Sequence, residues 1–385
     1  MRVMKKWTKI LIEIVAGLIF ILIALKLVEY WTGVNPLDNL KHRGDALENI
    51  NEVAAALTQE MEEGKEGEVI LFVKEIPEKE LLNINYIMSN LNGSVDSFQL
   101  HPKIFGVRRI DFKIIRSDNS YVYDAYKNGT AIPADRKEAA ALYKVVRRVI
   151  DVEIGDRPMT EFQKELILHD YLVENCRYSY GSETNDNEFR AYGALVEGQA
   201  VCNGYAEAMA LLLSCAGVEN RYVVGTANSG SRSSGQQTDA ADQNKKENHA
   251  WNLVKLNGTW YHLDSTWDDP VGEKEIVSHA YFNMSDELME RDHTWNKEKY
   301  EQCPDMSWNY YVRNKCYFED SNSLSDYVTH TVMSHPYGTM ECAFSKFEIT
   351  NTTLQGLSTV PGLTSVSYST VGNFTYSVLT LYINP

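Results

Sequence analysis

The sequence predicts an α+β protein of more than one domain, preceded by an apolar helix and followed by a β-rich extension. Three observations carry this. The chain has 385 residues, and globular domains run to roughly 100–200 residues. Helix-favouring runs over 133–154 and 160–178 precede two strand-like runs joined by Asn257-Gly258, the strongest short hairpin signal. After residue 308, short Tyr-, Thr- and Val-rich runs alternate with Gly, Asn, Ser and Pro, which reads as β structure. Composition sets the outer limits. Hydrophobic residues are 44% and charged residues 23%, which excludes a disordered, collagen-like or multi-span membrane chain. A net charge of −16 without a basic run excludes nucleic acid as the main partner. Six cysteines are too few for a disulfide scaffold.

Taken in order, residues 1–30 read as a basic cytoplasmic tail and a transmembrane signal anchor. Arg2, Lys5, Lys6 and Lys9 precede an unbroken apolar run from Ile14 to Leu25. With Glu13 and Lys26 near the ends, Ile10 to Val28 is long enough to span a bilayer. The basic cluster before the run places the N-terminus in the cytoplasm and the rest outside, so the expected location is the cell membrane, single-pass. The rival reading, a cleaved signal peptide, lacks a small-x-small pattern after Lys26. Residues 31–67 read as a juxtamembrane helix, rich in Leu, Glu, Ala and Lys and broken by Gly64 and Gly67. Residues 68–130 read as a small α/β domain: strand-like Glu68 to Lys74, helix-like Glu78 to Leu91, then strand-like Val107 to Arg116 and Tyr121 to Tyr126. Residues 131–305 read as one domain. Pro133 starts one helical run, and Thr160 with Gln163 fits a capping box at the start of the next. The polar stretch 228–248 reads as a loop. Residues 306–385 are the β-rich extension.

The chemistry rests on three segments. In Gly198-Gln199-Ala200-Val201-Cys202-Asn203-Gly204-Tyr205 a Gly-containing loop runs into an Ala- and Leu-rich helix that ends near Gly217. Cys202 thus falls at a helix N-terminus, where the dipole and free N–H groups favour thiolate. The bland alternative is a small buried hydrophobe. The second and third segments are the strands His249 to Leu256 and Thr259 to Asp264. A two-residue turn pairs Leu256 with Thr259, which sets Trp251 opposite Asp264. His249 and Asp264 then share a face as diagonal neighbours, roughly 7–8 Å apart at the backbone. A one-residue slip would separate them. A thiolate, an imidazole and a carboxylate are what attack on an amide carbonyl requires.

The stretch GQAVCNGYAEAMALLLSCAGV, followed by NHAWNLVKLNGTWYHLDSTWDDP, resembles the transglutaminase-like superfamily of cysteine enzymes over residues 160–295. The resemblance implies a papain-like α+β core, with the Cys-bearing helix packed on an antiparallel sheet that carries His and Asp. It places the triad on Cys202, His249 and Asp264. Tyr192 resembles the family's aromatic oxyanion donor, and Gln199 is a second candidate for that role. His262 shares the Asp264 face and reads as structural. No Cys-x-x-Cys or His-x-x-x-His pair accompanies these residues, so neither metal nor cofactor is expected. The expected function is a membrane-anchored extracytoplasmic thiol enzyme acting on protein or peptide amide bonds, with cell-envelope proteins among the candidate substrates. It would be a protease or deamidase if water accepts the acyl group, and a cross-linking transamidase if an amine does. The alternative is a non-catalytic cell-surface binding or scaffold protein with the same fold.

Overall fold

In the computed structural model the described residues are all but 1, 89–90, 180–184, 229–245, 270–276, 335–337, 348–356, 358, 362, 372–375 and 384–385. Nearly all of the polar 228–248 segment therefore lies outside the described residues. The chain divides into two compact units, Met1–Ser120 and Tyr121–Pro385.

The first unit begins with α1 (Arg2–Thr32) and α2 (Pro36–Lys41). Within α1, Lys9–Thr32 is long and apolar enough to cross a membrane, with mean hydropathy 2.7. Next come α3 (Ile50–Glu62), β1 (Gly67–Val73), α4 (Glu78–Leu81), α5 (Ile84–Met88), β2 (Gly93–Ile104) and β3 (Val107–Arg116). The strands form an antiparallel sheet in the order β1-β3-β2. Asn49 caps α3 through its side chain, and the helix buries Val53, Leu57 and Met61 against Ile110, Phe112 and Ile114.

The second unit opens with α6 (Asp118–Asn128), which starts just ahead of the division. Tyr121 to Tyr126 was expected to be a strand and is helical. Burial of Val122 and Ala125 follows a helical spacing, so the apparent alternation of Tyr and Val was a misread period. Helix α7 (Lys137–Val149) continues into a π-turn over Ile150–Ile154. Helix α8 (Glu161–Asn175) starts at Thr160 with the full capping box to Gln163. Short parallel strands β4 (Arg177–Tyr178) and β5 (Gln199–Ala200) lead into α9 (Cys202–Ala216). Helix α9 ends at Gly217, whose φ of 79° is the left-handed conformation that a C-terminal glycine accepts.

The central sheet contains β6 (Asn220–Asn228), β7 (Lys246–Leu256), β8 (Thr259–Leu263) and β9 (Phe282–Met284). After α10 (Asp286–Met289) comes β10 (His293–Trp295). Strand order is β10-β6-β7-β8-β9, antiparallel throughout. Leu256 pairs with Thr259 and Asn252 with Leu263, the register that the turn predicts. Asn257 and Gly258 both have positive φ, 50° and 88°, as a type I′ turn requires. One sheet face meets α8 and α9 through Val254, Leu256, Tyr261 and Leu263. The other face carries Val223, Trp251, Leu253 and Trp260 into a core shared with the C-terminal elements.

Those elements are α11 (Tyr310–Arg313), β11 (Tyr317–Phe318), α12 (Ser321–Ser334), β12 (Gly338–Ser345), β13 (Leu363–Val371) and β14 (Tyr376–Ile383). They form a four-stranded sheet in the order β11-β12-β14-β13. The β-rich expectation for this region missed α12. Its Ser- and Thr-rich sequence has weak helix propensity, yet Leu324, Val328 and Val332 recur every four residues and are buried.

Candidate active site

Cys202 is the first residue of α9, and the residue before it, Val201, offers no side-chain cap. The first-turn N–H groups are not consumed by a side-chain acceptor there. Two glycines permit the local packing. A Cβ on Gly204 would lie 2.6 Å from the Glu188 carbonyl, so glycine lets the preceding loop close on the helix start. Gly225 pairs with His249 across β6 and β7. A Cβ there would meet the Trp251 ring 2.7 Å away.

Cys202 is 8% exposed. Burial pushes it up, but hydrogen bonding and charge from His249, with help from the Ala250 backbone, outweigh burial and leave it below the ordinary 9.0. His249 Nε2 lies 2.6 Å from Asp264 Oδ2, which leaves Nδ1 for the thiol. Burial disfavours the charged ring, yet the Asp264 charge and hydrogen bond, followed by Cys202, raise His249 to about 10. Asp264 is fully buried. Burial raises its carboxyl, and the His249 charge and hydrogen bond with a further bond to His293 bring it far below the ordinary range. Its other oxygen accepts from the backbone N–H of Thr266 at 3.0 Å and Trp267 at 3.2 Å. These shifts favour a thiolate beside an imidazolium, with the carboxylate orienting the ring.

Sequence matches now bear on this geometry. Residues 148–265 match the model of the transglutaminase-like superfamily. This segment is transglutaminase-like. It runs from the end of α7 to the residue after Asp264 and contains all three groups. No curated protein matches the sequence. Solved structures similar to the chain include a TGase, at 12% identity and TM-score 0.27, covering 55% of this chain and 54% of that one. Another is the periplasmic domain of TgpA from Pseudomonas aeruginosa, at 14% identity and TM-score 0.23, covering 46% and 65%. A third is LapG from Legionella pneumophila, at 12% identity and TM-score 0.24, covering 51% and 96%. The chain thus spans about half the length of the TGase and under two thirds of the TgpA domain.

The remaining expected residues of the transglutaminase-like site are placed differently. Tyr192 is half-buried and packs against the α9 core. Gln199 is exposed on β5, three residues before Cys202. His262 is fully buried on β8, with Nδ1 accepting from Trp251 Nε1 at 2.9 Å and Nε2 2.8 Å from Asp286. That is a structural role. All six cysteines are free.

Three neighbours escaped the sequence reading. His293 Nε2 lies 3.1 Å from the same Asp264 oxygen that His249 uses, and its Nδ1 lies 2.6 Å from Asp292. Asn203 Oδ1 lies 3.6 Å from the Cys202 sulfur, and Asn203 Nδ2 donates to the Tyr222 hydroxyl at 2.8 Å. That hydroxyl is near enough to couple electrostatically to Cys202. Asp292-His293 carries no local signal, because only the β10-β6 pairing brings it to Asp264. The Trp251 and Trp267 rings pack 5.9 and 5.6 Å from His249 and help exclude water from the pair.

Proposed function

We propose that the chain is a membrane-anchored, extracytoplasmic thiol enzyme that acts on protein or peptide amide bonds. The observation that supports it best is Cys202 at the start of α9, its thiol favoured in the charged form by a His249 ring that rests on buried Asp264. The Cys202 thiolate attacks the carbonyl carbon. The oxyanion is held by the Cys202 backbone N–H and one side-chain donor, for which Tyr192, Gln199 and Tyr222 are the candidates. His249 gives its proton to the departing nitrogen as the C–N bond breaks, leaving a thioester on Cys202. Water, activated by the now neutral His249, releases the acid and restores the thiolate. An amine in place of water would give a cross-link. Hydrolysis is the default outcome, since water is always present as the acceptor.

A thiol-directed probe on the detergent-solubilised chain tests this. Labelling at Cys202 at neutral pH, with loss of label and of amide cleavage in Cys202→Ser, is the expected result. Cys215→Ser should change neither, because Cys215 is buried in the core on α9 and burial holds its thiol up at about 12. An unlabelled Cys202 in a folded chain would favour the binding or scaffold reading.

A further inference from the structure

A second cluster of two histidines and a carboxylate sits apart from Cys202. His169 and Asp170 lie on α8, and His279 lies just before β9. His169 Nδ1 and His279 Nε2 are each 3.0 Å from one oxygen, Asp170 Oδ1. The three ligand-capable atoms lie within 4.8 Å of one another. Tetrahedral zinc with bonds of about 2.0–2.1 Å needs donors roughly 3.3 Å apart, so the two 3.0 Å spacings already suit an ion and only the separation of the two ring nitrogens, at most 4.8 Å, would have to adjust.

The far side of each ring is built in the same way. His169 Nε2 lies 3.1 Å from Asp268 Oδ2, and His279 Nδ1 lies 3.0 Å from Glu341 Oε2. Both carboxylates are themselves held: Asp268 accepts from the Tyr281 N–H at 2.8 Å, and Glu341 accepts from the Tyr311 hydroxyl at 3.2 Å. A carboxylate on the far nitrogen fixes the tautomer and points the near lone pair inward, which is the usual support for metal-bound histidine. In those neutral tautomers the near nitrogens would face Asp170 Oδ1 from two sides as lone pairs, and a bound cation would take the place of the two ring protons that otherwise hold these contacts. Packing locks the rings: Tyr310 stacks on His279 at 3.7 Å, and the Phe282 ring stands edge-on to His169 at 5.0 Å. His169 is fully buried, while the Asp170 side chain is 35% exposed, which gives the ion and a coordinating water a way in.

We propose that His169, Asp170 and His279 bind one zinc ion, with Asp268 and Glu341 as the supporting carboxylates. The ion would tie α8, the segment following Asp264 and strand β12 together. Its role is structural, and it is separate from the thiol chemistry.

The test uses the full chain in detergent, loaded with Zn2+ and dialysed against zinc-free buffer. One retained equivalent is expected in the wild type, with loss in Asp170→Asn and His279→Gln, each checked for fold by circular dichroism. Co2+ loading of the wild type gives a reading that does not depend on variant folding. Visible bands of a four-coordinate N/O site, without thiolate charge transfer in the near ultraviolet, are expected. No retained zinc and no cobalt bands would overturn the proposal, leaving the cluster as protonated ion pairs. Equal retention in wild type and Asp170→Asn, or a thiolate band, would also overturn it by placing the metal at Cys202, Cys303 or His249.

Discussion

In the proposed mechanism, Asp264 is the residue on which both Cys202 and His249 depend. It acts on Cys202 in two opposing ways. Its own charge disfavours the thiolate, while it stabilises the His249 imidazolium that favours the thiolate. The His249 contributions are the larger ones at Cys202, so removing the Asp264 charge should push the thiol upward. Asp264→Asn is therefore expected to shift the acid limb of Cys202 alkylation toward 9.0. It should also lower turnover by roughly 10²–10⁴, as loss of a triad carboxylate can. Alkylation rate against pH, measured beside substrate cleavage, checks both. An unshifted limb would point to His293 or Asn203 as the group that organises the pair. The stability sign follows from the same shifts. His249 is raised, so its contribution is full below 6.5 and is lost as pH climbs through about 10. Asp264 is lowered, so its contribution is present above 3.8 and is lost only in stronger acid.

At the scale of elements, the hairpin shows what local sequence can carry. Asn257-Gly258 set the turn, the turn set the register, and the register set His249 and Asp264 on one face. The Thr160–Gln163 box was equally local. His293 was not legible, because it reaches Asp264 through a strand pairing between β10 and β6 that no short-range pattern encodes. Helix α6 was misread because the six residues Tyr121 to Tyr126, three of them Tyr, fit two periods at once. Helix α8 holds a further feature invisible to pattern. Glu165 is fully buried, with Oε2 accepting from Asn283 at 2.9 Å and Oε1 without a partner among the described residues. Burial raises its carboxyl to about 8, against smaller lowering effects of Asn283 and His169. Folding therefore favours the protonated acid. Its favourable effect is full below 4.5 and is lost as pH rises through 8. Glu165→Gln keeps the shape and an oxygen for Asn283. It should raise the melting temperature at pH 9 by several degrees and change it little at pH 5. An equal effect at both values would mean that Glu165 is not the titrating group.

For the whole molecule, the N-terminal helix bears on where the proposed chemistry would act. The apolar segment Lys9–Thr32 has 24 residues, about 36 Å of helix against a hydrocarbon core of about 30 Å. Large side chains on it, among them Leu11, Ile12, Phe20 and Leu22, are more than half exposed in the isolated chain, as a lipid-facing helix requires. A charge of −16 repels an anionic membrane surface, so the proposed attachment would rest on burial of this helix and not on a basic patch. Four basic residues stand before the apolar run, the pattern behind the proposed inward N-terminus. The full chain should then sediment with membranes, resist extraction by high salt or alkaline carbonate, and dissolve in detergent. Protease added to intact, wall-stripped cells should digest residues beyond Thr32 and spare a tag fused before Arg2. Extraction by salt alone would mean that the helix does not span. A protected C-terminal region would reverse the orientation. A soluble product starting near residue 30 would make the segment a cleaved leader and leave the thiol site free of the membrane.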